Sequence, residues 1–249
     1  MYFIPCKIRV CLGLLLLSAV IVFAAKCTLN QKLLEFAEYG NTVNLQGALR
    51  WGANPNTIRT GRGFDNISTV KAKFGLGDLV ACDYTFSRSA LMLAIESNHL
   101  EAVQTLLRAG ARIKYVDELN KTPLHIALEQ KTGISIVKEL LDIGSDMSLR
   151  DKEGWDALTT ASLAEYPDAV ELLLRRGARP NGRSILGFTP LSIIAGKDSP
   201  ATRQIMNILL KYGADPNIQN AKHETAIDQA AKMKCRENVI FLVQHGAKK

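Results

Sequence analysis

The sequence predicts an all-α solenoid of about six helix-turn-helix units joined by short β-hairpin loops, and three observations predict it. A Gly-Ala pair or near variant recurs at Gly52, Gly110, Gly144, Gly177, Gly213 and Gly246, with spacings of 34, 33, 36 and 33 from Gly110 onward. A second marker keeps the same step. It reads Thr122-Pro-Leu-His125 and Thr189-Pro-Leu-Ser192, with weaker copies starting at Ser89, Asp156 and Thr225, and the starts lie 33, 34, 33 and 36 residues apart. Between the markers run apolar stripes of helical period, such as Val103 with Leu106-Leu107, Val137 with Leu140-Leu141, and Ala169-Val170 with Leu172-Leu173. Self-similarity at such a period identifies small units that bury a core only by stacking.

Each element has a local reason. Thr122 and Thr189 suit an N-cap, and the proline after each occupies the first turn, where a missing N–H costs nothing. Leu124 and Ala127 face inward, the alanine letting paired helices approach closely. The recurring glycine ends the second helix, where a left-handed residue is wanted. A degenerate first unit precedes these: a helix over Gln31–Tyr39, a turn at Gly40-Asn41, and a helix over Val43–Trp51 ending in Gly52-Ala-Asn-Pro-Asn56. It lacks the Thr-Pro start, as a terminal cap does, and Gly246-Ala-Lys-Lys249 closes the last unit. Gly52 lies 37 residues before Ser89, whereas Gly110 lies 12 before Thr122, so an insertion of 25 residues falls at about 59–83. The expected organisation is a leader over 1–24 and a repeat domain over 25–249. That domain divides into a capping repeat at about 30–58, the insertion, and repeats over 84–249.

The T-P-L-H-x-A run followed by an apolar helix and Gly213-Ala-Asp-Pro-Asn217 resembles the ankyrin-repeat family, over about residues 30–249. The resemblance implies a protein-binding module. It makes His125 an intra-repeat hydrogen-bonding histidine rather than a catalytic one, and gives His99 the turn between paired helices.

Composition narrows the class further. With 47% apolar residues the chain is neither disordered nor, with five cysteines in 249 residues, a disulfide scaffold. Met1 to Arg9 carries two cations and no acid, and Val10 to Ala25 is a sixteen-residue apolar run ending in Val22-Phe23-Ala24. That is the order of a secretory signal, and sixteen residues rise only about 24 Å, short of a bilayer core. An uncleaved anchor in the inner membrane through residues 10–25 is the alternative, and Cys27, preceded by Lys26, is a weak lipidation site. The membrane enters only through such an uncleaved signal or lipidation. Removing 1–24 takes Lys7 and Arg9, so the net charge of +7 becomes +5. It leaves Cys27, Cys82 and Cys235, expected as unpaired and mostly buried thiols.

No constellation for chemistry emerges. H-E-x-x-H, C-x-x-C, phosphate-loop and G-x-S-x-G patterns are missing, so no enzyme, cofactor or metal site is expected. Lys and Arg are scattered rather than gathered with aromatics on one element, which argues against nucleic acid. Asn66-Ile-Ser68 is a glycosylation sequon, meaningful only in a eukaryotic secretory pathway.

The family resemblance maps partner contacts to hairpin positions two and four residues past the hairpin Asp site. They read Phe86 and Arg88, Leu119 and Lys121, Glu153 and Trp155, Leu186 and Phe188, Lys222 and Glu224. Apolar side chains at tips that are normally polar make an interface row, with Trp155 as its first anchor. The apolar-rich insertion is a second candidate surface. Export narrows the reading to the periplasm, where the chain resembles exported bacterial ankyrin proteins that act as immunity proteins against lipase effectors of type VI secretion. The implied function is a non-enzymatic toxin inhibitor, a monomer bound 1:1 to its partner. The alternatives are a periplasmic accessory protein supporting another enzyme, for example in oxidative-stress defence, or a secreted effector binding host proteins.

Overall fold

The computed structural model describes residues 27–63 and 84–248, with side chains described except at 61–63 and 84–86. The expected leader, Cys82, the sequon and most of the insertion lie outside these residues. The described residues form twelve helices and one two-stranded sheet. By contact density the chain divides into two compact units, Met1–Thr60 with Arg88–Ala111, and Gly61–Ser87 with Arg112–Lys249.

In the first unit, α1 is described over 27–38 and α2 over Thr42–Arg50, matching the degenerate cap. Asn41 caps α2 by accepting from the Asn44 N–H at 3.1 Å. Helices α3 (Ala90–Glu96) and α4 (Leu100–Arg108) follow, and α4 packs on both α3 and α2. The core here is Leu33, Leu34, Ala37, Leu45, Ala48, the whole length of α3 from Ala90 to Ile95, and Ala102, Val103 and Leu106. A short helix buried all round owes its stability to packing rather than to propensity.

Gly40 turns the chain between α1 and α2 with φ +68°, and a Cβ there would lie 2.6 Å from the His99 ring. Gly40→Ala is therefore expected to destabilise by about 2 kcal/mol or more in urea titration. Gly52→Ala, at φ +88° with open space around its Cβ, should cost only the conformational part, about 1 kcal/mol. Equal costs would contradict the packing role of His99.

The second unit repeats one motif. Its helices are α5 (Pro123–Glu129), α6 (Ile134–Asp142), α7 (Ala157–Leu163), α8 (Pro167–Arg175), α9 (Pro190–Ile194), α10 (Pro200–Lys211), α11 (Ala226–Lys232) and α12 (Arg236–Gln244). Three of the four first helices start on a capping side chain, Thr122 to the His125 N–H, Asp156 to the Thr159 N–H and Thr189 to the Ser192 N–H, while at α11 the Asp228 carboxylate accepts from the Thr225 N–H and hydroxyl. Gly144, Gly177, Gly213 and Gly246 end the second helices at φ +86° to +89°, as expected. First helices pack on first helices and second on second, α5 on α7, α7 on α9, α8 on α10. Leu124 and Ala127 are buried as expected, but Leu107 and Leu172 are only half-buried. Neighbours on a helix point about 100° apart, so one member of an adjacent pair takes the core side.

Polar side chains at the turns satisfy carbonyls of the preceding repeat. The Tyr166 hydroxyl donates to the Thr132 carbonyl at 2.7 Å and Lys197 Nζ to that of Leu163 at 2.7 Å. Buried Asn238 donates to the carbonyls of Ala195 and Lys197 at 2.9 and 2.7 Å. The carbonyls of Leu163 and Ala195 are orphan acceptors at helix C-termini, and those of Thr132 and Lys197 lie in the turns that follow.

The sheet pairs β1 (Ile58–Gly63) with β2 (Tyr84–Ser89). The segment expected as an insertion, 59–83, begins within β1 and ends just before β2. Cys235 is buried as expected, with its thiol 3.2 Å from the Gly196 carbonyl, but Cys27 is exposed on α1.

Candidate protein-binding surface

In the second unit each hairpin closes on one buried polar side chain. The Asp117 Oδ1 accepts the N–H groups of Leu119 and Lys121 at 2.9 and 2.8 Å. Asp151 Oδ1 accepts those of Glu153 and Trp155 at 3.0 and 2.9 Å, and Asn220 Oδ1 those of Lys222 and Glu224 at 2.8 and 3.0 Å. In the remaining hairpin the Ser184 hydroxyl accepts from the Phe188 N–H at 3.1 Å. A side chain that takes up two or more turn N–H groups replaces what a strand partner supplies elsewhere. Neighbouring hairpins are then tied by their backbones. Lys152, Ile185 and Ala221 donate to the carbonyls of Leu119, Glu153 and Leu186 at 3.0, 3.4 and 2.9 Å.

This closure sorts the eight predicted contact residues of the second unit into two kinds. The residue four past the hub lies back over its own first helix. Lys121 pairs with Glu129 at 2.7 Å, and Glu224 with Lys232 at 3.2 Å, each eight residues apart. In the first unit Arg88 pairs with Glu96 at 2.6 Å in the same register. The Asn220 amide, and after it the Lys232 ammonium, holds the Glu224 carboxyl below the usual carboxylate range. Trp155 and Phe188 occupy this register and are half-buried, which corrects the expectation that they stand in water. The Phe86 side chain lies outside the described residues.

The residue two past the hub faces solvent instead. Leu119 is 43% and Leu186 60% exposed, and Glu153 and Lys222 are exposed as well. Ile185, beside Leu186, is 70% exposed and was not anticipated. Its place one past the hub was legible, because the hairpin register was already known. In the first unit, Trp51 is 84% exposed, with Tyr39 and Val43 also in water. Sequence reasoning assigned Trp51 only to a helix end.

His125 is fully buried and structural. Its Nδ1 lies 3.3 Å from the Thr122 N–H donor and 2.8 Å from Thr122 Oγ1, and Nε2 lies 3.1 Å from the Trp155 carbonyl. A carbonyl only accepts, so Nε2 carries the proton and Nδ1 accepts from Thr122. Burial pushes the imidazole below its ordinary pKa of 6.5, against the pull of the Trp155 carbonyl, Asp151 and Asp156. The expected bond within the repeat is present, and a second bond to the next repeat adds to it.

Among the described residues no group of histidines, cysteines and carboxylates could hold a metal ion, and no helix is long and apolar enough to cross a membrane. What the surface offers is a set of tips with aliphatic side chains between charges, which suits docking.

Comparison with known proteins agrees. A family profile described as ankyrin repeats, in three copies, matches residues 64–151, 91–184 and 130–220. A Rickettsia felis protein named for its ankyrin repeats is 32% identical over 114 residues, 45% of this chain and 30% of its own length. Ankyrin repeat protein nuc-2 of Neurospora crassa is 35% identical over 143 residues, 57% of this chain and 13% of its own. The human ankyrin repeat and SOCS box protein 6 is 28% identical over 206 residues, 74% of this chain and 43% of its own. The chain thus spans less than half the length of each of these relatives. Repeats of this family mediate protein–protein interaction. With overlapping matches from 64 to 220, more than half its length, the chain belongs to the ankyrin-repeat family.

Proposed function

We propose that this protein is exported to the periplasm, where it binds and neutralises a lipase-type effector as an immunity protein. The observation that carries the binding part is the pair of exposed leucines, Leu119 and Leu186, on hairpin tips fixed by buried hubs. Aliphatic side chains in water on rigid tips lose little conformational entropy when a partner covers them. Export rests on the charged, apolar and small-residue order of 1–24. The repeats then clamp the effector and deny membrane phospholipids access to its catalytic centre. Inhibition by occlusion needs no catalytic residue in the inhibitor.

The test is co-expression with a lipase-type effector directed to the periplasm. Full-length protein is expected to restore growth, and protein lacking residues 1–24 is expected to fail despite equal abundance. Rescue by the truncated form contradicts export, and no rescue by the full chain contradicts immunity.

A further inference from the structure

Two loops in the second unit, following α6 and α8, line an open pocket of about 580 Å³. Its wall includes Arg150, Arg179 and Arg183 together with Asp146 and Asp156. The two carboxylates are occupied locally. Asp146 accepts from the Ser148 N–H and hydroxyl at 2.8 and 2.7 Å, and Asp156 from the Thr159 N–H and hydroxyl at 2.9 and 2.7 Å. Neither is ion-paired to an arginine of the pocket among the described residues. Arg183 gives one donor to the Gln219 carbonyl at 2.7 Å, leaving the rest of its fork. The side chains of Arg150 and Arg179 are exposed and make no hydrogen bond or ion pair among the described residues.

The register shows what Arg179 costs the fold. Two residues past the helix-ending glycine, Asn54, Asp146 and Asp215 each accept the N–H two residues further on, at 3.0, 2.8 and 2.9 Å. Arginine accepts nothing, so at 179 the turn forgoes that bond and carries a cation instead. Arg150 and Arg183 stand directly before the hubs Asp151 and Ser184 of successive units, 33 residues apart. Stacking therefore brings cations from two successive repeats of the second unit to one concavity. A Cβ at 182 would sit 2.6 Å from Asp156 Oδ2, so a larger residue there displaces that carboxylate.

We propose that this pocket receives an acidic segment of the protein partner, with Arg150 and Arg179 each gripping an Asp or Glu carboxylate through a two-pronged pair. The inference rests on the protein-binding reading and supplies its chemistry. Guanidinium forks match carboxylate geometry and hold it in place more strongly than a point charge does. Two fixed carboxylates in the wall disfavour a doubly charged phosphate and tolerate a singly charged side chain. The volume lies in the range of pockets that enclose more than one side chain.

The test uses the full chain and a fluorescein-labelled hexaglutamate peptide, read by fluorescence anisotropy. Hexaglutamate is expected to bind at least about tenfold tighter than hexaglutamine, with Arg150→Gln and Arg179→Asp each weakening it about tenfold. Arg179→Asp restores the residue type that Asp146 and Asp215 provide in sister turns, so its thermal unfolding should not fall. Lys211→Gln, an exposed cation outside the pocket, should leave binding unchanged. Full affinity in Arg179→Asp, an equal loss in Lys211→Gln, or displacement by inorganic phosphate as effective as by unlabelled peptide each overturn the proposal. The peptide is synthetic, so failure here leaves the growth-rescue result standing, and failed rescue leaves peptide binding unaffected.

Discussion

Replacing His125 with alanine is expected to lower the unfolding free energy by about 3 kcal/mol, measured by urea titration. The side chain is fully buried, so its removal leaves a cavity the size of an imidazole. It also strands two backbone groups, the Thr122 N–H within the repeat and the Trp155 carbonyl in the next. A buried backbone group without a partner costs more than an average hydrogen bond contributes. His125→Gln keeps an acceptor and a donor on a similar stem and should recover part of the loss.

The same residue fixes a pH dependence. Its folded pKa lies below the ordinary 6.5, so the folded chain keeps it neutral while the unfolded chain takes up a proton as pH falls. The unfolded state then binds more protons, and stability falls with decreasing pH. The loss begins near 6.5 and ends below the folded pKa, after which this residue adds no further slope. Above 6.5 both states are neutral and the contribution is flat. Glu165, held low chiefly by the Ser199 hydroxyl, and Asp146, held low by Ser148, titrate in the separate carboxylate window at lower pH. His125→Gln should therefore flatten the profile below about 6.5 and leave the carboxylate limb intact.

The second large effect falls on binding. Leu119→Ser with Leu186→Ser is expected to weaken partner affinity about a hundredfold while leaving the fold unchanged. Covering a leucine contributes about 1.5–3 kcal/mol, and two such losses at an interface centre exceed the 2.7 kcal/mol that a hundredfold represents. These positions separate binding from folding because their side chains stand in water and only their backbones are tied into the hairpin ladder. Trp155 is the poorer probe. It is half-buried, and its carbonyl is the partner of His125, so truncating it disturbs the stack as well as any interface.

The periodic features were legible because each depends on residues close in sequence. Thr122 with Pro123, the inward Leu124 and Ala127, and the glycines ending second helices are local choices, and their positions follow from the repeat. The split among the contact residues of the second unit was not legible. It depends on Asp117, Asp151, Ser184 and Asn220 closing each turn, which carries the residue four past the hub back onto its helix. That rule separates exposed Leu119 from half-buried Trp155, although both are apolar residues at hairpin tips. The ties between repeats, His125 to Trp155 and Tyr166 to Thr132, join residues about thirty apart and require the stacking geometry. The pocket had a sequence signal that went unused: Arg179 replaces the acid found at 146 and 215. Net charge summed over the whole chain concealed that local concentration.

The central claim is that a protein partner docks on the exposed tips rather than on the half-buried register beside them. Isothermal titration of the effector that the full chain neutralises, against wild type and the Leu119→Ser, Leu186→Ser double variant, tests it most directly. The account predicts about a hundredfold loss of affinity with unchanged thermal unfolding. Affinity within about twofold of wild type in the folded double variant would contradict it.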